Sequence, residues 1–391
     1  MRLLGFGTYD TRRHPRVGVI LDGLAARGHQ VKEVNRPLRV ETSERVAALQ
    51  RPAAALRFGG ALARQWVGLI RDAARFHGGN RPDAVIVGYL GHFDVLLARM
   101  LFPRTRIILD QLVFAADTAQ DRGLLGPGAF SRVKNRLLHG IDRVALATAD
   151  VVVVDTWESL GLLTDKQRAK SVVVPVGAQD MWFDAAAPLD EGCVRSPDGT
   201  TVSEETTLPS GELSVVFYGL FTPLQGTPTI AKALRELDTR GIDLSVTLIG
   251  TGQDADRVRD LLPEGKHVTV TWHDWIDAQE LPRVAAAHDV CLGIFGTTPK
   301  ALRVVPNKAF QGLAAGCALI TSDTPVQREM LGAAPVYVEP GDALALANAI
   351  EHFTDHKRLK AARAAALRER EMFRPSVVAG PLETVLGDPK R

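Results

Sequence analysis

Three basic residues lie within nine positions in the second half of the chain: Lys300, Arg303 and Lys308. Pro306 and Asn307 suit the start of a helix, with Asn307 as N-cap and Lys308 as the first helical residue. A cation at a helix N-terminus opposes the helix dipole, whereas a bound diphosphate would be held by both the dipole and the ammonium groups. This segment therefore predicts a phosphate site, and the alternative is a solvated basic loop.

Glycine-rich turns follow three predicted strands of the same half. The turns contain, in chain order, Gly219 and Gly226, Gly250 and Gly252, and Phe295 and Gly296. Such turns let backbone N–H groups approach a phosphate closely, and the N-terminus of the following helix adds positive potential. One turn of this kind is explained by chain sterics alone. Three turns that converge on one sheet edge favour a phosphate site.

Strands and helices alternate in both halves of the chain, which predicts a doubly wound parallel sheet in each. Apolar runs in the first half predict strands at Leu3–Phe6, Ala84–Val87, Ile107–Leu109, Val151–Val154 and Ser171–Pro175, with a helix at Gly18–Arg27. The second half predicts strands at Ser214–Tyr218, Leu244–Ile249, Val268–Trp272, Val290–Ile294 and Ala318–Thr321. Helices are predicted at Thr229–Leu237, Asp254–Leu262, Ala278–Ala287 and Lys308–Ala315.

A polar, turn-rich stretch around residues 185–212 separates the two alternations. We predict a first domain at 1–180, a linker or surface excursion at 181–212 and a second domain at 213–373. Residues 374–391 are expected to form a helix that packs back on the first domain. The fold class is α/β, with two Rossmann-like domains. Because ligands bind beyond the carboxyl ends of such strands, we expect the two domains to share a central cleft.

The charge is unevenly distributed along the 391 residues. Residues 1–150 carry 23 Lys/Arg against 13 Asp/Glu, although the whole chain has a formal net charge of only +2. A basic half attracts phosphates, nucleic acid or an anionic membrane. The cations form no dense run and no nucleic-acid module is present, so we expect no nucleic-acid partner.

One predicted helix, at 52–76, is both basic and amphipathic. Its arginines and large apolar residues are Arg57, Arg64, Arg71 and Arg75, and Leu56, Trp66, Leu69 and Ile70. Such a helix suits peripheral contact with an anionic membrane. The alternative is a helix that packs on the sheet with its arginines in water.

Three cysteines, Cys193, Cys291 and Cys317, are widely spaced and odd in number, which favours reduced thiols. The N-terminus has no signal-peptide pattern, and no apolar run is long enough to cross a bilayer. We therefore expect a cytoplasmic protein. No His-Glu-x-x-His run or cysteine pair occurs, so neither a metal nor a cofactor is expected.

The second half resembles the nucleotide-sugar domain of glycosyltransferase family 4, a retaining family of GT-B fold. The matching segments are VVFYGLFTPLQGTPTIAKAL, LIGTGQD, WIDAQELPRVAAAHDVCLGIFG and PNKAFQGLAAGCALIT. The first half matches more loosely, through VGYLGHFDVLLARM, DTAQDR, ADVVVVDT and VVVPVG. The resemblance implies metal-independent transfer of a sugar from a nucleotide-diphosphate sugar to an acceptor, with retention of anomeric configuration.

The resemblance also implies roles for particular residues. The candidate catalytic residues are Lys300, Arg303, Lys308 and His92. The donor-binding candidates are Gly7, Thr8, Gly219, Gln225, Gly250, Gly252, Trp275, Ile276, Phe295, Gly296, Asn307 and Gln311. The acceptor-side candidates are Tyr9, His14, Asp94, Asp117, Asp121 and Arg122. Simpler interpretations remain open for three of these: a core aromatic for Trp275, a capping histidine for His92, and a salt-bridged loop around Asp117.

This chain departs from the family pattern at four positions. Many members carry Arg and Lys in the first donor loop, where this chain has Leu220 and Gln225. Many also carry two Glu residues separated by seven positions, which correspond here to Arg303 and Gln311. Two alternatives remain: a non-hydrolysing nucleotide-sugar epimerase, and a catalytically silent partner subunit, which Leu220, Gln225 and Gln311 favour. The sequence predicts a glycan, lipid-linked or small-molecule acceptor, but not the sugar, the nucleotide or the oligomeric state.

Overall fold

The computed structural model describes residues 1–12, 14–38, 52–89, 91–126, 128–186, 194–195, 201–202 and 212–388. The chain forms two compact units. The N-terminal unit comprises Met1–Pro175 and Val378–Arg391, and the C-terminal unit comprises Val176–Val377.

The N-terminal unit is built on six strands: β1 (Arg2–Gly7), β2 (Gln30–Asn35), β3 (Ala84–Val87), β4 (Arg106–Asp110), β5 (Val151–Val154) and β6 (Ser171–Val173). Its helices as far as residue 168 are α1 (Arg16–Ala26), α2 (Pro52–Ala73), α3 (Asp94–Leu101), α4 (Ala115–Asp121), α5 (Ala129–Thr148), α6 (Trp157–Gly161) and α7 (Asp165–Arg168). Short 3₁₀ helices follow α2 at Ala74–Phe76 and Gly78–Asn80.

The remaining helices are α8 (Asp180–Ala185), α9 (Thr227–Thr239), α10 (Ala255–Leu261), α11 (Leu281–Ala286), α12 (Asn307–Ala314), α13 (Pro325–Leu331), α14 (Ala343–His352), α15 (His356–Glu369), α16 (Pro375–Val378) and α17 (Gly380–Gly387). The strands are β7 (Val194–Arg195), β8 (Thr201–Val202), β9 (Leu213–Tyr218), β10 (Leu244–Ile249), β11 (Val268–His273), β12 (Val290–Leu292), β13 (Ala318–Ser322) and β14 (Val336–Val338). Two further 3₁₀ helices lie at Ala301–Arg303 and Arg370–Phe373.

Each unit contains one six-stranded parallel sheet, in the order β2-β1-β3-β4-β5-β6 in the N-terminal unit and β11-β10-β9-β12-β13-β14 in the C-terminal unit. The uninterrupted apolar strands Ala84–Val87 and Val151–Val154 are buried along their whole length, as parallel strands covered on both faces must be. The strand order reverses between β1 and β3, and again between β9 and β12. Ligands of doubly wound sheets bind at such reversals. The prediction of two doubly wound parallel sheets is confirmed.

The boundaries between the units differ in detail from the predicted ones. The predicted linker begins at residue 181, but Trp182 and Phe183 lie on α8 and are buried in the C-terminal unit. Trp182 stacks on Tyr218 at 5.6 Å between ring centroids. Most of the rest of the predicted linker, including Cys193, lies outside the described residues.

The end of the chain packs on the N-terminal unit. Helix α17 places Leu382 and Leu386 in the same apolar cluster as Ile20 of α1. Arg106 donates hydrogen bonds to the backbone carbonyls of Val385 and Leu386, both at 3.2 Å. None of the helices in the described ranges combines the length and the apolar character that a membrane span requires.

Candidate functional site

The glycine turns of the C-terminal unit pack directly on one another at the carboxyl edge of its sheet. Gly250, which follows β10, has a φ of +135°, and a Cβ there would lie 1.9 Å from the carbonyl oxygen of Gly219. A Cβ on Gly252 would lie 2.3 Å from the carbonyl oxygen of Phe221. The turns after β9 and β10 can therefore approach this closely only because residues 250 and 252 are both glycine.

The turn after β12 meets the same loop from the other side. Gly226 has a φ of +66°, and a Cβ there would lie 2.3 Å from the carbonyl carbon of Phe295. The amide of Phe295 donates to the carbonyl of Gln225 at 3.0 Å. A Cβ on Gly296 would lie 2.4 Å from the backbone oxygen of Leu224. The three turns predicted to converge therefore do so, at the reversal between β9 and β12.

Lys308 brings a buried cation to these turns. Its side chain leaves α12 and places Nζ 3.5 Å from the ring centroid of Phe217 and 2.5 Å from Oε1 of Gln225. A Cβ on Gly219 would lie 3.0 Å from the same Nζ. Lys308 is only 4% exposed, and no carboxylate pairs with it in the part of the chain that the structure describes. An aromatic face and an amide oxygen stabilise an ammonium group, but neither neutralises its charge.

The surroundings of Lys308 disfavour its charged form. Burial lowers its pKa well below the usual value, and the neighbouring Cys291 only partly opposes this effect. Burial also raises the pKa of the Cys291 thiol to about 12, so the thiol is uncharged at neutral pH and supplies no counter-ion. An anion at the glycine turns would provide the missing negative charge.

The start of α12 differs from the prediction by one residue. Pro306 occupies the N-cap position and Asn307 is the first helical residue, half-buried, so the predicted cap at Asn307 is wrong. Proline fixes its own φ, but it has no side-chain acceptor for the free amides of the first turn. Gln311 is buried one turn after Lys308, on the same face of the helix.

Lys300 and Arg303 lie in the loop that leads from Gly296 to α12. Both are half-buried, and Arg303 donates from Nε to the carbonyl of Pro299 at 2.9 Å. The charged group of Lys308 contacts the loop after β9 through its hydrogen bond to Gln225.

Trp275 and Ile276 follow β11 at the same sheet edge. Trp275 is 69% exposed, so it is not a core aromatic, whereas Ile276 is half-buried. The nearby Trp272 packs instead on Phe221, at 4.7 Å between ring centroids.

In the N-terminal unit, the turn after β1 encloses a buried carboxylate. Asp94 accepts hydrogen bonds through Oδ2 from both the amide and the hydroxyl of Thr8, each at 2.7 Å, and through Oδ1 from Nε1 of Trp66 at 2.8 Å. Burial raises the pKa of Asp94, and these three hydrogen bonds oppose the rise. A Cβ on Gly7 would lie 3.0 Å from Oδ2 of Asp94. The contacts of Asp94 thus hold the β1 turn against α2 and α3.

Tyr9 and His14, which were also predicted to lie near this turn, contact other residues of the N-terminal unit. Tyr9 is buried and donates its hydroxyl proton to Glu33 at 2.6 Å. Burial and the Glu33 carboxylate raise the pKa of Tyr9. The ring of His14 stacks on Tyr89 at 3.8 Å between centroids.

His92 forms part of a buried polar cluster that the sequence did not predict. Its Nε2 lies 2.9 Å from Oδ1 of Asp142 and 3.1 Å from the side-chain amide nitrogen of Gln111. Asp142 also accepts from the backbone amide of Ala115 at 3.0 Å. Gln111 could have been found, because it lies two residues after the predicted strand Ile107–Leu109. Asp142 lies within α5, where the sequence carries no signal for it.

Asp117, Asp121 and Arg122 follow β4 as predicted, but they lie on a helix and not in a loop. Asp117 and Asp121 are on α4, one turn apart, and Arg122 is its C-cap, so they form part of a helix and not a loop cluster. All three are half-buried. Within the described ranges, no cluster of three or more His, Cys, Asp or Glu side chains is arranged to hold a metal ion.

Residues 212–356 match the family model described as glycosyl transferases group 1. The whole structure is similar to sucrose-phosphate synthase from Thermosynechococcus elongatus, with 15% identity, 98% of each chain covered and a TM-score of 0.63. It is also similar to HepE of Anabaena in complex with UDP-glucose, with 12% identity, 99% of each chain covered and a TM-score of 0.61. A third similar structure is a putative UDP-N-acetylglucosamine 2-epimerase from Listeria monocytogenes, with 11% identity, 98% of this chain and 95% of that chain covered and a TM-score of 0.55.

No protein of curated function matches the chain in sequence. At the identities given above, the structural similarity establishes the fold alone. The chain has the GT-B fold, and the predicted resemblance to GT-B glycosyltransferases is confirmed.

Proposed function

We propose that this chain transfers a sugar from a nucleotide-diphosphate sugar to an acceptor, with retention of configuration at the anomeric carbon. UDP is the nucleotide we expect, because HepE of Anabaena, which shares the fold, is in complex with UDP-glucose. The single observation that carries the proposal is the Lys308 ammonium. It is buried at the reversal between β9 and β12 and has no carboxylate partner among the described residues.

A diphosphate would complete this arrangement. The ordinary partner of a buried ammonium is a carboxylate, and Gln225 occupies that place with a neutral amide oxygen. When Lys308 is protonated, its charge therefore has no carboxylate counter-ion among the described residues. A diphosphate at the glycine turns would pair with it and would also lie near the positive end of the α12 dipole.

The same contacts would accelerate the reaction. As the bond between the sugar and the diphosphate breaks, negative charge grows on the leaving phosphate and positive charge grows on the sugar ring. A cation that is already in place stabilises that leaving charge without reorganisation, and loss of one such donor typically costs about 10²–10³ in rate. We assign this role to Lys308, with Lys300 and Arg303 adding positive charge from the preceding loop.

Other residues of the C-terminal unit would hold the nucleoside. The exposed ring of Trp275 is available to stack on a base, with Ile276 beside it. Gln311, on the Lys308 face of α12, would hydrogen-bond the ribose hydroxyls. The glycine turns would complete the nucleotide site of this unit. Donor-binding roles are also proposed for Gly7 and Thr8 of the N-terminal unit.

The N-terminal unit would supply the acceptor side. We propose that His92 acts on the reacting sugars, with Asp142 fixing the orientation of its ring through the 2.9 Å contact. We also propose acceptor-side roles for Tyr9, His14, Asp94, Asp117, Asp121 and Arg122. Tyr9 and Asp94 already make buried hydrogen bonds within the unit.

We propose that transfer needs no metal ion, because Lys308 and its neighbours would neutralise the diphosphate. The test is transfer in the presence of excess chelator. Unchanged turnover supports the proposal, whereas loss of turnover that is restored by Mg²⁺ would contradict it.

The second candidate function is epimerisation of a nucleotide-sugar, favoured by the similarity to the Listeria protein. A catalytically silent partner subunit is the third, favoured by Leu220, Gln225 and Gln311. The experiment that separates the three is product analysis with UDP-sugars, with and without a panel of acceptors. Transfer to an acceptor, or slow hydrolysis of the donor, supports the glycosyltransferase. A changed sugar without an acceptor supports the epimerase, and no turnover supports the silent subunit.

We further propose a cytoplasmic protein that contacts an anionic membrane peripherally. On α2, Trp66 and Leu69 face inward, but Leu56 is 79% and Val67 is 68% exposed. On α5, exposed Val133, Leu137 and Val144 form one stripe, and exposed Arg132, Arg136 and Arg143 form a second stripe one position earlier. Adjacent apolar and cationic stripes suit an anionic lipid surface. Co-sedimentation with phosphatidylglycerol vesicles but not with phosphatidylcholine vesicles is the expected result, and equal recovery with both would contradict it.

A further inference from the structure

A small basic cavity lies at the amino-terminal edge of the N-terminal sheet. It has a volume of 280 Å³ and is lined by residues that precede β3 and β4, among them His77, Arg81 and Arg104. Of the candidate residues, Gly7 ends β1 and His92 follows β3, so both belong to the opposite, carboxyl edge. The cavity is therefore separate from the residues proposed above to handle the donor and acceptor.

The Arg81 guanidinium is fixed in this cavity but incompletely bonded. Its Nε donates to the hydroxyl of Thr105 at 2.8 Å. Its Nη2 is buried and has no hydrogen-bond partner in the described part of the chain. A buried guanidinium N–H without an acceptor is costly, and such groups are rare in native proteins, where a bound water or ion can supply the missing acceptor.

The other lining groups are also hydrogen-bond donors. Arg104 is exposed and makes no ion pair within the described ranges, and no carboxylate lines the cavity. His77 stacks on the buried ring of Phe102, at 5.5 Å between centroids and an interplanar angle of 12°. A neutral imidazole still carries one N–H donor, so all three polar side chains can donate and neither guanidinium is neutralised.

We propose that this cavity binds a phosphate group. Two uncompensated guanidinium charges match the charge of a phosphate monoester dianion, and the fork of N–H groups on arginine suits its oxygens. The volume lies just below the roughly 300–1,000 Å³ of pockets for drug-sized ligands, which suits a phosphate with a small substituent and not a whole nucleotide. The phosphate would belong either to a small phosphorylated molecule or to a lipid headgroup.

The test is thermal unfolding of the full chain with inorganic phosphate, against sodium chloride of equal ionic strength. Arg104→Ala removes an exposed side chain without a structural partner, and Arg81→Lys keeps the charge but removes the fork. We expect each to weaken phosphate binding about tenfold, the loss expected for one charge-assisted hydrogen bond. Arg368→Ala, an exposed arginine of α15, is the matched control and should bind phosphate like the unmodified chain.

Lys308→Met separates this site from the proposed donor site. Phosphate stabilisation that survives in Lys308→Met but falls in Arg104→Ala supports the cavity, whether or not the chain transfers sugars. Stabilisation that is equal in all variants, or that falls only in Lys308→Met, would overturn it.

Vesicles identify the source of the phosphate. Weaker recovery of Arg104→Ala than of Arg368→Ala on phosphatidylglycerol vesicles indicates a lipid headgroup. Phosphate binding in solution with equal recovery of both variants on vesicles indicates a free phosphorylated molecule.

Discussion

The Lys308 ammonium and the Gln225 side-chain amide lie 2.5 Å apart, although 83 residues separate them in the chain. The contact joins α12 to the loop after β9 and holds a cation against the Gly219 turn. Because the Gln225 amide is neutral, it orients the Lys308 ammonium without neutralising the positive charge of that group. When Lys308 is protonated, its positive charge is thus held in position for an anion.

The substitution Gln225→Glu tests whether UDP binding requires a neutral side chain at position 225. The substitution keeps the shape of the side chain but gives Lys308 a permanent counter-ion. We expect the variant to melt at a higher temperature without nucleotide and to bind UDP at least about tenfold more weakly, which corresponds to ~1.4 kcal/mol. Gln225→Met, which removes the acceptor without adding charge, separates the lost hydrogen bond from the added carboxylate. Unchanged UDP affinity in Gln225→Glu would show that the Lys308 charge is not used for binding.

Nucleotide binding should take up a proton at Lys308. Burial lowers the pKa of Lys308 in the free protein, so the group is partly neutral at pH values between that lowered pKa and its usual value of about 10.4. A bound diphosphate favours the charged form and raises the pKa again. The complex then holds more protons than the free protein, so affinity falls as pH rises through this window.

Calorimetry in buffers of different ionisation enthalpy measures this uptake directly. Lys308→Met should remove the part that belongs to Lys308 and leave the part due to the phosphate itself. The same proton count in both proteins would be evidence against the assignment.

Folding should show the opposite dependence on pH at the same residue. The unfolded chain binds the Lys308 proton up to the usual pKa, whereas the folded protein releases it at lower pH. The contribution of Lys308 to the free energy of unfolding therefore rises with pH through that window. Urea unfolding across the window, compared with Lys308→Met, checks the sign.

Gly226→Ala should destabilise the C-terminal unit. A left-handed conformation costs a non-glycine residue about 1–2 kcal/mol, and the overlap of a Cβ with the Phe295 backbone adds a further ~1–3 kcal/mol. Gly59→Ala on α2 is the matched control, because its Cβ would meet nothing within 4 Å. In that helix interior, alanine should stabilise by roughly 0.5–1 kcal/mol. Chemical unfolding compares the two, and equal effects would contradict the close packing of the loops.

Arg16 and Asp110 form a fully buried ion pair in the N-terminal unit, with Nε 2.8 Å from Oδ1. Burial raises the pKa of Asp110, even though Arg16 opposes the rise. Arg16→Met should cost about 3–5 kcal/mol, because it leaves a buried carboxylate without its partner. The double variant with Asp110→Leu should recover much of that loss. If the double variant is as unstable as Arg16→Met, the cost lies in packing and not in the unpaired charge.

The sequence predicted the sheets well and the side-chain contacts poorly, for physical reasons. Continuous valine runs such as Val151–Val154 occur where both faces of a strand are covered, so their position follows from local composition. Strand β2 was missed because Gln30–Asn35 is an edge strand with a largely exposed, polar surface. The glycine turns could be located from the sequence because each directly follows a predicted strand.

The parts of the site that were missed depend on contacts distant in sequence. The burial of Lys308 by Phe217 and Gln225 requires two elements far apart in the chain to meet. Asp142 reaches His92 from the interior of a helix, 50 residues later. No local sequence pattern predicts contacts between residues so far apart in the chain.

UDP binding to the full chain and to Lys308→Met, measured by calorimetry, tests the central claim most directly. Lys232→Met, an exposed lysine of α9, is the matched control. We predict that UDP binds the unmodified chain and the control equally and binds Lys308→Met at least about tenfold more weakly, since one buried charge-assisted contact is lost. Equal binding to all three proteins, or no binding of UDP to any of them, would contradict a donor site built around Lys308.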